Sequence, residues 1–489
     1  MAGPKSESLF QDMKLSADER TLTFTLAPTR VTYANSLRRA IQTEVRTLGF
    51  RADMTETGST SDVKIFKNNT PMSNEMLADR VGLVPIQMPV SVGKGWEKES
   101  VLFRLQLKNN TGELRNVTAS DFECFVVDPT AEPNAEGENN SLPSLTQNSQ
   151  SGGGPAPPSG MKRVPNTQYF HPDRVTGETC LLAVLKPNEE LHIEAYASMG
   201  TGREHTRFNP TSQCAYGYTR DTDPARIQEL FQTWLREQKK LDPSEITKDQ
   251  ERKAVLEREF ASLEIHRCFK VDADGEPYSY DFIIETLGTI PVQNVITEGL
   301  MGIVKLCQKY SSIDNGDLPE NVEIRPADAR MTGFDVWFTD EDHTLGNLLQ
   351  TWVDDNLIGR GKVTFAGYKI PHPLKNEMVL RIGVTDGQVG TARLALARAA
   401  EGCADIFLRM VDQYSTALIE QGIEKTPIAA ENLPPELRTV WEAHKNFKER
   451  EKSALEARVA AAPSVGMTRG AAARGRSRGR GAGAAARGR

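Results

Sequence analysis

The chain has 489 residues, 59 Lys+Arg against 66 Asp+Glu, and only 38% hydrophobic and 7% aromatic residues. At roughly 100–200 residues per domain this is about three domains, with a low apolar fraction that leaves part of the chain unable to pack. The net charge of -7 is uneven: residues 467–489 carry seven arginines and no acid, leaving a body of -14, which excludes wrapping nucleic acid over the whole surface.

The first residues, MAGPKSESLFQDMK, hold no apolar run, so no secretory signal is expected. Leu22–Leu26 is a strand candidate, and Val31–Leu48 has Ala34, Leu37, Ile41, Val45 and Leu48 at helical spacing. Residues 64–125 and 179–218 contain short alternating runs such as VLFRLQL and LHIEAYA, the pattern of antiparallel strands. Between them, 128–159 is rich in Pro, Gly, Ser, Asn and Glu and is expected to be disordered. Residues 221–264 are highly charged with a thin stripe of Ile227, Leu230, Phe231 and Trp234, which predicts a helical excursion. Arg267–Ile284 reads strand–turn–strand around Asp274-Gly275, and Val292–Tyr310 reads as an amphipathic helix.

Residues 311–330 read as a linker. A second block then predicts strand 333–338, helix 344–356, strands 363–368 and 377–384, and a long helix over 390–421. In that last helix Leu396, Ala400, Cys403, Phe407, Met410 and Tyr414 are spaced 4, 3, 4, 3, 4, a seam that predicts packing along its length against another helix. Residues 460–489 are Ala/Gly/Arg low complexity, expected to be disordered.

Residues Leu287–Cys307 are the most apolar long stretch, yet they hold Pro291, Gln293, Asn294, Glu298 and Lys305, so no membrane span is expected. The six cysteines lie at 124, 180, 214, 268, 307 and 403, with no CxxC spacing, so no cysteine-built metal site and reduced thiols are expected. The location expected is cytoplasm or nucleus.

One hexapeptide recurs. Thr32-Tyr33-Ala34-Asn35-Ser36-Leu37 and Thr344-Leu345-Gly346-Asn347-Leu348-Leu349 are offset by 312 at every position, and each opens an amphipathic helix after a strand candidate. The physical reading is that Thr caps each helix and the small residue lets the first turn approach another backbone.

Longer motifs carry a family resemblance. Asn35-Ser36-Leu37-Arg38-Arg39-Ala40, Asn74-Glu75-Met76-Leu77-Ala78-Asp79-Arg80-Val81-Gly82-Leu83-Val84-Pro85, Gly200-Thr201-Gly202-Arg203-Glu204-His205 and Tyr280–Gly288 follow one another. Over residues 14–310 the chain resembles the alpha-type subunits of cellular RNA polymerases: bacterial alpha, archaeal D and the eukaryotic third-largest subunit. Glu341–Leu349 and Phe365–Leu374 make residues 331–425 resemble the archaeal L and eukaryotic eleventh subunits. The resemblance implies an α+β fold in which two dimerisation units form an intramolecular pseudo-dimer, the first interrupted by a mainly β insert domain. Its boundaries would be 1–49 with 266–310 for the first unit and 50–218 for the insert. A charged helical insertion at 219–265, the linker 311–330, the second unit 331–425 and a C-terminal extension 426–489 complete the chain. The fused arrangement is similar to that of large DNA viruses, which makes a viral source the expectation. Stretches 128–159 and 221–264 have no counterpart in the family, nor has this chain the cysteine site of some members.

The resemblance implies dimerisation through Asn35, Leu37, Ile41, Leu345, Asn347, Leu349, Phe407, Met410 and Tyr414. It implies contact with the second-largest polymerase subunit through Arg38, Arg39, Arg80, Gly82 and His205. The largest subunit and small subunits would be further partners, in a non-catalytic assembly platform without cofactor or membrane contact. From the helical pattern alone Arg38 and Arg39 point away from the buried face. Asp340, Glu341, Asp342 and His343 can be drawn as metal ligands, but acids ahead of a helix complement its dipole. Asp272-x-Asp274-Gly275 lacks the twelfth-position acid of a calcium loop, being followed there by Ile283, and reads as a hairpin turn. Gly200-Thr201-Gly202 reads as a plain loop. Arg474, Arg476, Arg478 and Arg480 in Arg-Gly repeats suit phosphate backbones, so DNA or RNA contact is expected only indirectly or through this tail. The rival reading is an RNA-binding scaffold acting through the tail alone.

Overall fold

A computed structural model describes residues 8–52, 62–88, 96–127, 158, 160–173, 176–246, 249–328, 330–424 and five positions between 438 and 446. The proposed disordered stretch 128–159 lies almost wholly outside the described residues, and the tail arginines lie outside them altogether.

The chain opens with strands β1 (Phe10–Leu15) and β2 (Thr21–Leu26), helix α1 (Val31–Thr43) and strand β3 (Arg46–Gly49). The insert contributes β4 (Val63–Asn68), α2 (Asn74–Gly82), β5 (Val101–Lys108), β6 (Arg115–Thr118), β7 (Glu123–Val127), β8 (Met161–Val164), β9 (Leu181–Leu185), β10 (Glu190–Tyr196) and β11 (Ser198–Thr201). After β12 (Thr211–Tyr218) come three helices, α3 (Pro224–Glu237), α4 (Pro243–Ile246) and α5 (Gln250–Leu263), then β13 (Tyr280–Thr286) and α6 (Val292–Gln308). The second half is β14 (Val322–Pro326), β15 (Gly333–Thr339), α7 (His343–Asn356), β16 (Val363–Lys369), β17 (Glu377–Val384) and α8 (Val389–Glu420).

Each half builds one four-stranded antiparallel sheet with two helices on it. The first sheet runs β1-β2-β13-β12 and the second β14-β15-β17-β16. In the second sheet, alternation places Val336 and Phe338 of β15 inward, where they meet Leu345, Leu349 and Val353 of α7 and Leu396 and Ala400 of α8. The helices of the two halves then pack on each other. The insert is a separate β layer, a five-stranded sheet in the order β4-β10-β5-β7-β8 with α2 supplying Leu77, Ala78 and Val81 to its core. The fold is therefore α+β, with two sheet-and-helix units and a β-rich insert.

Four boundaries differ from the sequence reading. Helix α1 stops at Thr43: Val45 and Leu48 continue its apolar period but are buried around and in β3, which pairs with β11. The insert ends before β12, because β12 pairs with β13 in the first half's own sheet. Only the second arm of the expected 267–284 hairpin is a strand; Val271 and Pro277 meet in a single bridge around Gly275, whose φ is +83°. The expected linker contains β14, an edge strand whose Pro326 ends it. The charged excursion is a small three-helix cluster: Phe231 stacks on Trp234 and Phe260 meets both edge-to-face, with ring centroids 5.2–5.9 Å apart. Val440–Arg489 forms a separate unit, within which 441–442 and 445–446 are helical.

Candidate functional site

The junction between the two halves is built by α1 and α6 from one side and α7 and α8 from the other. Its polar centre lies where the repeated hexapeptides meet. Thr32 and Thr351 share a hydrogen bond between their hydroxyls at 3.0 Å, and Asn347 Nδ2 donates to Thr32 Oγ1 at 3.4 Å. Arg39 donates from Nε to Thr344 Oγ1 at 2.7 Å and from Nη2 to Asp342 Oδ2 at 2.9 Å. Under the 312-residue offset Thr32 corresponds to Thr344 and Thr351 to Arg39. The contact Thr32–Thr351 and the contact Thr344–Arg39 are thus mates about a local two-fold axis, the mark of an isologous interface.

Both expectations about the hexapeptide's first turn need correction. Thr32 lies inside α1, whose N-cap Arg30 makes no side-chain cap bond, and α7 is capped by Asp342, which accepts from Thr344 N at 2.8 Å. Gly346 does not meet a backbone: a Cβ there would fall 2.4 Å from the Tyr368 ring on β16. Arg39 does not point away from packed surface either, since its guanidinium spans the junction. Arg38 stays on its own helix, donating to Asn35 Oδ1 and Gln42 Oε1.

The apolar part of the junction is aromatic. All seven apolar residues expected to dimerise are buried, but Leu345 and Leu349 lie in the second half's own core under its sheet and Ile41 lies against Gly299 of α6 in its own half; Phe407, Met410 and Tyr414 are the ones that face across. The Phe407 ring lies 6.0 Å from Tyr33 of α1, and Tyr414 lies 5.1 Å from Phe10 of β1 and donates to Gln293 O on α6. The seam of α8 therefore changes partner along its length. Leu396 and Ala400 pack in the second half's own core, and Phe407 onward packs on the first half. From Cys403 to Tyr414 the facing helix that the spacing predicts is α6, with Cys403 against Cys307 near its end and Tyr414 at Gln293 near its start; only Leu396 and Ala400 fall outside that pairing. Cys403 carries a thiol held well above its usual range by the Cys307 thiol of α6 against it and by burial.

A second cluster flanks the junction. Arg203, in the loop after β11, donates to Glu44 Oε1 at 2.7 Å and to the Asp340 carbonyl at 3.2 Å. Burial opposes its charge, but Glu44 outweighs this and raises its pKa, with help from Asp342 and Glu341. Glu341 is buried and accepts from the Tyr310 hydroxyl at 2.6 Å and from Lys309 at 3.3 Å. Burial raises its pKa against these donors. Asp342 is held below its usual range: burial works the other way, but the Thr344 N–H and Arg39 prevail. A cleft of about 580 Å³ opens here, bordered by Glu44, Arg46, Arg203, Glu298, Lys309 and Glu341. Burial pushes Glu298 up to about 7, with Arg46 opposing through its charge and its backbone N–H.

Asp340, Glu341 and Asp342 are thus each engaged in protein contacts, and among the described residues no group of three or more His, Cys, Asp or Glu is placed to hold a metal ion. Asp272 accepts from the backbone N–H groups of Asp274 and Glu276, closing a turn. The remaining predicted interface residues sit on the insert's rim. Arg80 donates to the Leu181 and Leu182 carbonyls, fixing α2 to β9. At Gly82 a Cβ would meet Arg207 and the Phe50 carbonyl within about 3.0 Å. His205 Nδ1 accepts from the Arg207 backbone and guanidinium. Thr351 and Tyr310 are absent from the sequence reading, since neither stands in a motif and only the folded contacts reveal them; Arg203 stands in the Gly200–His205 motif, where its role beside Glu44 is not legible.

Two family models match this chain, both described as the RNA polymerase Rpb3/Rpb11 dimerisation domain, one over residues 23–307 and one over 334–413. The chain belongs to this Rpb3/Rpb11 dimerisation-domain family. It is 28% identical over 190 residues to DNA-directed RNA polymerase subunit Rpo3 of Aeropyrum pernix, covering 39% of this chain and 52% of that one. Over 81 residues it is 42% identical to DNA-directed RNA polymerases I and III subunit rpc19 of Dictyostelium discoideum, covering 17% of this chain and 65% of that one. To Rpo3 of Pyrococcus horikoshii it is 22% identical over 307 residues, 60% of this chain and 94% of that one. The chain thus spans between half and two thirds of the first two relatives' length. Both Rpb3/Rpb11 matches fall on the units that meet at the junction. Among the described residues no helix is long and apolar enough to cross a membrane.

Proposed function

We propose that this chain is a non-catalytic assembly platform of a DNA-directed RNA polymerase, two alpha-type units fused as a ready-made pseudo-dimer. The observation that carries this reading is the isologous pairing of Thr32–Thr351 with Thr344–Arg39 inside one chain. A dimerisation domain that meets its partner within the same polypeptide presents a completed dimer surface to further subunits. The second-largest subunit would dock on the rim formed by the end of α1 and the 200–207 loop, with Arg38 and His205 as contacts, and the largest subunit would follow. A catalytic site would belong to those partners. The polar groups at the junction are spent on each other, which suits a platform.

Tagged full-length chain, purified from cells that make its partners, is expected to bring down two very large chains in stoichiometric amount. Arg38→Ala with His205→Ala should lose them while the thermal midpoint stays within about 2 °C of the native chain. Recovery of the native chain without large partners would sink the reading.

A further inference from the structure

The 312-residue offset also maps the N-cap of α1, Arg30, onto the N-cap of α7, Asp342. Each cap residue reaches across the junction. Arg30 pairs with Asp355 in the last turn of α7 at 2.7 Å, and Asp342 pairs with Arg39 of α1 at 2.9 Å. The two caps occupy equivalent positions yet carry opposite charges, and each finds its opposite on the other half.

We propose that these two ion pairs are the specificity determinant of the junction: they favour first half on second half and penalise either half on a like half from a second copy of the chain. The argument is a substitution by symmetry. Replacing the second half with another first half puts Arg30 of that second copy where Asp342 stands, directly against Arg39. Replacing the first half with another second half puts Asp342 of that copy where Arg30 stands, against Asp355. A two-fold dimer makes each such contact twice, so every homotypic pairing gathers like charges where the native pairing has attraction. The Thr32–Thr351 hydroxyl contact is neutral and discriminates nothing.

The pairs are partly solvated, with side-chain exposures of 61% and 24% for Arg30 and Asp355 and 30% and 34% for Arg39 and Asp342. Each therefore adds little to stability. Discrimination rests on a different quantity, the gap between attraction and repulsion at one position, which is how charged flanks choose partners in paired helices. This inference concerns the junction alone and stands whether or not the chain serves a polymerase.

A like-charge clash can be set up at both positions inside the full-length chain. Arg30→Glu sets an acid against Asp355, and Arg39→Glu sets one against Asp342 while leaving the α7 cap in place; the neutral controls Arg30→Gln and Arg39→Gln match them in shape, capping and helix propensity. At low salt each Glu variant is expected to lower the thermal midpoint by about 1–3 °C more than its Gln control. The exchange Arg30→Glu with Asp355→Arg should return the midpoint to the native value, and 0.5 M salt should shrink all the differences. If the Glu variants cost no more than the Gln variants, or if the exchange fails to recover the loss, the charges do not discriminate and the proposal is overturned.

Discussion

Glu298 lies on the wall of the cleft beside the junction, facing Arg46 from β3, Glu44 and Arg203 from the neighbouring loops, Lys305 and Lys309 from its own helix end, and Glu341 from the second half. Burial raises its pKa to about 7, whereas an unfolded glutamate titrates near 4.3. Between these values the folded protein holds a proton that the unfolded chain has released. Stability therefore falls as the pH rises from about 4.3 to 7, and the loss is complete above that. Discounted for the partial exposure of the side chain, the loss is on the order of 2 kcal/mol. Glu298→Gln keeps the shape and removes the titration, so it should raise the thermal midpoint at pH 8 and leave it almost unchanged at pH 4.5. A native chain whose midpoint responds to pH between 5 and 8 as the variant does would refute the assignment. Glu298 is visible in the sequence only as an acid that interrupts an apolar helix; its environment comes from Arg46 and Glu341, which are 252 residues behind and 43 ahead and which no local pattern connects to it.

At the scale of elements, what was legible follows from periodicity. Helices α6, α7 and α8 and strands β15 and β17 were readable to within a residue or two because their apolar period runs unbroken from one turn signal to the next. Helix α1 reads too long for the same reason: Val45 and Leu48 keep the period of 3.6, and nothing local marks that Val45 is buried just ahead of strand β3 and Leu48 within it. Strand β1 is not legible in the sequence because Asp12, with φ +51°, breaks its alternation at a bulge between Gln11 and Lys14. Gly200-Thr201-Gly202 reads as a plain loop, yet Gly200 and Thr201 close strand β11 against β3 and Gly202 docks on the end of α1. A Cβ on Gly202 would fall 1.8 Å from the Gln42 carbonyl oxygen, and a backbone atom cannot turn aside as a side chain can. Gly202→Ala is thus expected to push this loop, with Arg203, off the helix, at a cost of about 1–3 kcal/mol. A fall in the midpoint accompanied by faster amide exchange at 43–49 and 198–203 would show the displacement; an unchanged midpoint would refute the docking role.

At the scale of the whole molecule, the tether between the halves is itself part of the structure. The stretch after α6 is clamped to α8 by Arg393, which donates from Nε to the Ile313 carbonyl at 2.8 Å and from Nη2 to the Gly316 carbonyl at 2.6 Å. Covalent linkage replaces a bimolecular encounter with an effective concentration on the order of millimolar, so the chain's assembly is independent of its own concentration. Once formed, however, the junction has what a stable interface needs: a buried aromatic and aliphatic centre in Phe407, Met410 and Tyr414 against Tyr33 and Phe10, ringed by the Thr32–Thr351 and Arg39–Thr344 hydrogen bonds. Tethering and interface therefore have separate duties, the first in finding the partner and the second in keeping it. A protease site inserted after the exposed Asp317, just beyond the carbonyls that Arg393 holds, separates the two duties. The nicked protein is expected to elute at micromolar concentration as one particle holding both pieces, and to unfold with a midpoint that now depends on protein concentration. After denaturation, refolding of the nicked pieces should slow on dilution, whereas the intact chain should refold at a rate independent of concentration. Separation of the pieces on nicking alone would mean that the linker, and not the paired units, holds the molecule together.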